Sequence, residues 1–350
     1  MKKTALSLAV CNALALPLVA HADSMTLYGT AAVAVEALDN GGENTTNVSN
    51  NHSALGIKGS RSLGGGLSAV YLFDMFVGLD AGGGAGDDGL LGGGRDGWVG
   101  LSGEEWGIVA LGYQGRPWKT STNHLDLFGN TIADYSAIMG NTNSGGVYFD
   151  GGIGNSIIYF GPNLDGLSWH LQYGADEKDD GSNDWGAQVN YSRGPLYTSL
   201  SHDVDGRAGA AEEITVTKLA ASYRVTPATR LIGMVETLSG DKADTRNAYY
   251  LGASHRIGDT TFKLAYAMAD DSDAGADTGA SYFAVGVSQR LASNVEAYAF
   301  YSAIDNAANA SYGYVSAPHT SSNGNTAIAN PGDDSSVFAV GLRYDFAWEK

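Results

Sequence analysis

Apolar residues recur at every second position through most of this chain, and that period sets what it can fold into. Leu67, Ala69, Tyr71, Phe73 and Met75 share one face of an extended run, with Ser68, Val70, Leu72 and Asp74 on the other. Leu167, Trp169, Leu171 and Tyr173 alternate in the same way with Ser168, His170, Gln172 and Gly174. The last run is the longest: Phe338, Val340, Leu342, Tyr344, Phe346 and Trp348 stand against Ala339, Gly341, Arg343, Asp345 and Ala347. A period of two with one apolar face is a half-buried β-strand. Two architectures accept many such strands. A soluble sandwich turns the apolar faces inward, whereas a membrane barrel turns them to lipid and keeps small or polar side chains on a wet interior.

The connections choose between them, because they alternate in length. Short turns fall at 61–66, 103–105, 162–166, 193–195, 226–228, 258–259 and 292–294. Long segments lie between them at 38–51, 78–94, 115–146, 175–183, 203–217, 240–247, 270–280 and 305–334. Seven short and eight long connections join sixteen strands, with both termini on the short-turn side. Sorting of this kind belongs to a barrel standing in a membrane, with periplasmic turns and extracellular loops. The expected fold is therefore all-β, a 16-stranded antiparallel transmembrane β-barrel.

Composition agrees. The chain has 350 residues with 49 Gly and 7 Pro, which suits strands and tight turns, and 43% hydrophobic residues, which excludes a disordered glycine-rich chain. Lys2 and Lys3 precede an apolar run from Ala5 to Leu16, and Ala20-His21-Ala22 offers a small-x-small cleavage site. Residues 1–22 are thus expected to be a cleaved signal peptide, with 23–350 forming the barrel. Cys11 lies within that segment and is the only cysteine, so the exported chain would contain no disulfide and no cysteine ligand or nucleophile. Without those residues 18 Lys and Arg face 38 Asp and Glu, a formal charge of −20. So acidic a chain lacks the basic density needed to bind nucleic acid.

One connection is unlike the others. Residues 115–146 span roughly 30 positions, far beyond ordinary loop length. They keep Trp118, Leu125, Leu127, Phe128, Ile132, Tyr135, Ile138 and Met139. That is too much apolar surface for a solvated tail, so the segment is expected to fold against the barrel interior.

Several strings together resemble the trimeric general porins of Gram-negative outer membranes, the proteobacterial type with sixteen strands. They are Thr26-Leu27-Tyr28-Gly29, Leu55-Gly56-Ile57-Lys58-Gly59 and Leu63-Gly64-Gly65-Gly66-Leu67, then Arg95-Asp96-Gly97-Trp98-Val99-Gly100-Leu101-Ser102-Gly103. Asp134-Tyr135-Ser136-Ala137-Ile138-Met139-Gly140 and Gly341-Leu342-Arg343-Tyr344-Asp345-Phe346 complete the set, which spans nearly the whole chain after residue 22. The resemblance implies a passive channel for small hydrophilic solutes and ions, a homotrimer, and a third long loop folded into the lumen as a constriction. It implies no enzymatic activity and no cofactor. Loop acids would face basic wall residues there: Asp126 and Asp134 on the loop, Arg95 and Lys58 on the wall, with Arg116 and Lys119 next. Where the family often carries wall bases, this chain has Thr30, Ala54, Tyr113 and Ile158, so the basic ladder is expected to be thin. A thin ladder implies weak cation preference or low selectivity, because fixed charge in a narrow constriction sets its field. The family ends at a C-terminal Phe, whereas Phe346 is followed here by Ala347-Trp348-Glu349-Lys350.

Other signals are weighed against these. Asp176, Glu177, Asp179 and Asp180 form one acidic group, and Asp270, Asp271, Asp273 and Asp277 another. At a barrel rim they could hold Mg2+ or Ca2+ and bridge to lipopolysaccharide phosphates, or simply keep long loops solvated. Gly83 to Leu90 matches one copy of a calcium-binding β-roll repeat, which needs tandem copies to fold. Ser121, His124 and Asp126 lack a nucleophile elbow or oxyanion loop. Trp98, Trp106, Trp169, Trp185 and Trp348 are expected in aromatic girdles at the lipid interfaces. The rival readings are a substrate-specific channel of the same architecture and a secreted calcium-binding or adhesive β protein.

Overall fold

The computed structural model describes residues 23–80, 91–141, 149–175, 183–206, 213–240, 245–314, 328 and 330–349. Seventeen strands follow one another in chain order: β1 (Ser24–Asp39), β2 (Asn44–Asn50), β3 (Ala54–Gly64), β4 (Leu67–Val77), β5 (Leu91–Gly103), β6 (Gly107–Gly115), β7 (Gly152–Phe160), β8 (Leu167–Gly174), β9 (Asp184–Arg193), β10 (Leu196–Asp205), β11 (Ile214–Arg224), β12 (Thr229–Ser239), β13 (Arg246–Ile257), β14 (Thr260–Ala269), β15 (Ala280–Ala292), β16 (Val295–Asn306) and β17 (Ser335–Glu349). All pairings between them are antiparallel, and β1 pairs with β17 from Thr26 opposite Glu349 to Asp39 opposite Ser336. That pairing closes the barrel and removes both sheet edges, as a spanning sheet requires.

The wall has sixteen positions, not seventeen. β2 pairs with the second half of β1 and β3 with its first half, so the two are one wall strand interrupted at residues 51–53. The interruption has a local cause: His52 sits at φ 58°, and the Ser53 hydroxyl bonds both the amide and the carbonyl of Ala32. The expected long loop at 38–51 is corrected by the same observation. Only residues 40–43 turn, with Asn40 Oδ1 accepting from the amides of Gly42 and Glu43. Thr45, Thr46 and Val48 extend the hairpin, as β-branched residues favour.

Parity is as the alternation predicts. Leu171 and Leu342 are 45% and 47% exposed on the outer face, with Leu219, Leu251, Leu264 and Val340 around them. Two positions depart from expectation. Trp98 faces inward and is buried, donating its indole N–H to Gln114 Oε1 and packing on Phe160, so it belongs to no girdle. Tyr113 lies outward beside Leu111, so the family's arginine position is not an interior position in this chain. Trp106, Trp185 and Trp348 are exposed on the outside. The final strand runs on through Ala347, Trp348 and Glu349, all paired with β1.

Candidate functional site

The inner face of the barrel is divided into two arcs. On β11 to β17 a run of inward positions is apolar: Val216, Ala220, Ile232, Met234, Ala248, Tyr250, Ala265, Ala267, Tyr282, Ala284, Phe300 and Ala339 are all buried. Such residues on the wet side of a barrel need a cover. The segment 116–141 supplies it. Trp118, Leu125, Phe128, Ile132, Ala133, Tyr135, Ile138 and Met139 form one continuous buried cluster with those wall side chains. Phe128 meets Phe300 edge-on at 5.8 Å, and the Tyr282 hydroxyl donates to the Ala133 carbonyl. The approach is close enough to need glycine in the wall, since a Cβ at Gly286 would lie 2.9 Å from the Phe128 ring. Tyr312 and Tyr314, from the connection after β16, are buried in the same cluster.

The segment opens with a short helix, α1 (Pro117–Thr122), with proline at its start where no amide partner is needed. Charged groups buried beneath it tie it to the wall. Glu236, 2% exposed, accepts from the Trp118 indole (2.7 Å), from the Gly140 amide (2.7 Å) and from Arg246 (3.4 Å). Arg246 in turn donates to the carbonyls of Ile138 and Asn141. The Lys218 ammonium stands 3.2 Å from the centre of the Trp118 ring, and Asp203 accepts the Trp118 amide at 2.7 Å. None of these four wall groups was identified from the sequence as part of the site. The signal lay in the pattern: Lys218, Glu236 and Arg246 are lone charges on inward parity among apolar neighbours, where an ion needs a partner from elsewhere.

The expected site residues are placed as follows. Arg116 is buried at the neck of the segment, its guanidinium bridging Asp184 (2.9 Å) and Asp205 (2.8 Å). Lys119 pairs with Asp150 at 3.0 Å across the same neck. Asp126 accepts the amides of Phe128 and Tyr135, and Asp134 those of Asn130 and Ser136 together with the Ser136 hydroxyl. Both carboxylates therefore shape the segment's own turns. Burial, then the neighbouring Asp134 charge, pushes the Asp126 carboxyl well above its ordinary range; burial and then Asp150 raise Asp134. Neither forms an ion pair with Lys58 or Arg95 among the described residues.

Lys58 and Arg95 lie on the other arc, formed by β3 to β6, β1 and the end of β17. Lys58 faces inward over the Tyr28 ring, its ammonium 5.6 Å from the ring centre. Arg95 reaches the interior through a bulge: Asp74 pairs with Asp96 and Met75 with Gly94, leaving Arg95 as the extra residue, its guanidinium 5.3 Å from the Phe76 ring. Tyr28 donates to Asp74, Thr30 to Asp345, and Arg343 pairs with Asp345 at 3.0 Å, so acids and bases alternate along this arc. Below the segment, on the short-turn side, an open cavity of about 910 Å3 is lined by Lys58, Trp98, Thr120, His124, Tyr197 and Arg230 among others. His124 packs edge-on against Tyr197 at 4.5 Å, and burial followed by the Arg230 charge lowers its pKa to about 4. Ser121 donates to the Trp118 carbonyl, so Ser121, His124 and Asp126 form no catalytic chain.

The acidic candidates separate. Asp176, Glu177, Asp179 and Asp180 lie outside the described residues, as does Gly83 to Leu90. Asp271 caps its own turn, accepting the amides of Thr278 and Gly279, and Asp270 accepts from Tyr249. Among the described residues no group of three or more His, Cys, Asp or Glu is arranged to hold a metal ion.

A family model described as Gram-negative porin matches residues 5–309. The chain belongs to that family. Its relatives include outer membrane porin protein 32 of Delftia acidovorans, 33% identical over 241 residues, 62% of this chain and 65% of that one, just under two thirds of its length. An outer membrane porin protein of Bordetella pertussis is 28% identical over 299 residues, 71% and 76% of the two chains. Among solved structures, an anion-selective porin from Comamonas acidovorans superposes with a TM-score of 0.75 at 24% identity, covering 93% of this porin and all of that chain. The porin is accordingly an outer-membrane protein of a Gram-negative cell, and its family is one of channels rather than enzymes.

Proposed function

We propose that this porin is a water-filled channel for passive diffusion of small hydrophilic solutes and ions, narrowed by the segment 115–146. The observation that carries the reading is the division of the interior. One arc is dry and covered by the segment; the arc holding Lys58, Arg95 and Arg343 keeps charged side chains free of it. Residues 23–350 form the working chain, and it assembles as a homotrimer, as the family resemblance implies. Solutes pass between the segment and the charged arc, so size is limited there and charge is felt there.

Selectivity follows from the pairing of that charge. Asp74 sits close to Arg95 and Asp345 to Arg343, so the two signs largely cancel and selectivity is low. A second reading, modest anion preference, is favoured by inward arginines that have no carboxylate partner among the described residues, Arg224 and Arg230. The test is a planar-bilayer recording across a salt gradient. Conductance steps grouped in threes and a reversal potential near zero are expected. A large potential of either sign overturns low selectivity, and chloride preference supports the second reading. Absence of steps overturns the channel.

A further inference from the structure

We infer that the short-turn side of the lumen contains a binding site for small solutes carrying two or more negative charges, built on Arg224 and Arg230. The inference rests on the channel reading and goes beyond it. Arg224 on β11 and Arg230 on β12 are direct cross-strand partners. Both are on inward parity, since Tyr223 and Leu231 between and beside them are exposed on the outer face while Ser222 and Ile232 are buried. Like charges directly opposite one another destabilise a strand pair. The same row continues through Ser254 on β13 to Lys263 on β14, and Arg256 stands one inward position nearer the mouth.

Among the described residues none of Arg224, Arg230, Arg256 or Lys263 forms an ion pair. That is notable in a chain with 38 acidic and 20 basic residues, whose other interior arginines are each matched by a carboxylate or held over an aromatic ring. The adjoining cavity of about 910 Å3 takes Arg224, Arg230 and Ser222 in its lining, with Lys58 on the facing wall and Glu104 as its one carboxylate. Arg230 is also aimed: it donates to the His124 carbonyl and to the Ser222 hydroxyl, both at 3.3 Å. A guanidinium held in place with donors to spare suits the paired oxygens of a carboxylate or phosphate. Two of them opposite each other are stabilised by an anion that spans both, and low-dielectric walls concentrate the field they share. Lipid headgroups have no access to the interior of a closed barrel, so the ligand is a dissolved solute.

The experiment uses the purified full chain in planar bilayers at about 0.1 M KCl, where the Debye length is about 10 Å. Citrate is added to each side in turn, and acetate at equal charge concentration serves as the monovalent control. Citrate is expected to block KCl current saturably while acetate does not. In the double variant Arg224→Gln/Arg230→Gln the half-blocking citrate concentration should rise tenfold or more, and in Lys58→Gln by less. Conductance steps with no saturable block, or a block unchanged in the double variant, overturn the site and leave the channel standing. Absence of any step removes the channel and the site together. Should the double variant fail to insert, the wild type decides: equal effects of citrate and acetate overturn the inference.

Discussion

Glu236 is the group on which the seating of the inner segment most depends, and replacing it gives the sharpest test of how the interior is built. In Glu236→Ala the Trp118 indole and the Gly140 amide lose their carboxyl acceptor, each bond contributing about 1.5–3 kcal/mol. Arg246, 2% exposed, loses its carboxylate, and breaking a buried pair costs about 3–5 kcal/mol. These losses share one network and do not add; about 4–6 kcal/mol is the reasonable total. At about 1.4 kcal/mol per decade, the ratio of seated to unseated segment falls by roughly a thousandfold or more. Glu236→Gln keeps the shape and one acceptor oxygen, so about 2 kcal/mol is expected. Two readouts follow. Amide hydrogen exchange in 117–141 should accelerate strongly in the alanine variant and modestly in the glutamine variant, while β4 and β5 keep their protection. Open-channel current noise should rise in the same order. Wild-type protection across 117–141 in Glu236→Ala, with the wall intact, would refute the claim that this carboxylate holds the segment.

Two further predictions address the wall and the pH response. Leu342→Arg places a cation on the outer face and should destabilise the folded barrel by about 2–4 kcal/mol in urea titrations from lipid, whereas Arg343→Gln on the inner parity should leave stability close to its starting value; equal costs would count against the assigned faces. The pKa of His124 is lowered from 6.5 to about 4, so the folded state favours its neutral form. The stability this brings is complete above pH 6.5 and is lost as pH falls from 6.5 to about 4, amounting to about 1–3 kcal/mol for a partly buried ring. Asp126 and Asp134 act in the opposite sense, since protonation on acidification relieves their repulsion. Hydrogen exchange over 120–128, corrected for intrinsic rate, should therefore rise between pH 7 and pH 4.5 more in the wild type than in His124→Gln; identical pH profiles would remove His124 from the account.

Strand number, outer face and turn positions were legible in the sequence because each rests on a local rule. Alternation reports the lipid-facing side, and Gly-rich pairs such as Gly65-Gly66 mark the tight turns, here at φ 61° and 80°. What the sequence concealed was register-dependent. Residues 44–50 read as loop because Asn44, Asn47 and Asn50 mask a strand whose partner, β1, is already paired on its other side. Trp98 was misplaced because Arg95 is the extra residue of a bulge, so Arg95 and Trp98 both face inward although they differ in parity. Tyr113 keeps the outward parity of Leu111, and only its place in the family string suggested an interior position. Lys58 and Arg95 lie over the Tyr28 and Phe76 rings of the wall. The resemblance put Arg116 and Lys119 next in the constriction; what it could not give is their tertiary partners, Asp184, Asp205 and Asp150, which tie both to the neck of the segment.

The pattern of the inner face also carries an argument about where such a barrel keeps its stability. Lipid gives the outer face no net reason to prefer one neighbour over another, so specific packing has to come from inside. Most of it comes from one arc, where alanines at 265, 267, 284 and 339 leave room for a second layer and aromatics at 135, 250, 282 and 300 fill it; a smaller cluster of Val70, Leu72, Trp98, Ala110 and Ile158 packs on β4 to β7. A wall lined with alanine and tyrosine on its wet side is unstable without its cover, and the cover has too few polar groups to stand alone in water. The two are therefore one folding unit. The charged arc lies outside that unit, which is what allows it to remain hydrated. Substitutions among the covered residues should thus act on the seated segment first and on the barrel second, whereas changes at Lys58, Arg95 or Arg343 should alter conduction while leaving stability close to its starting value.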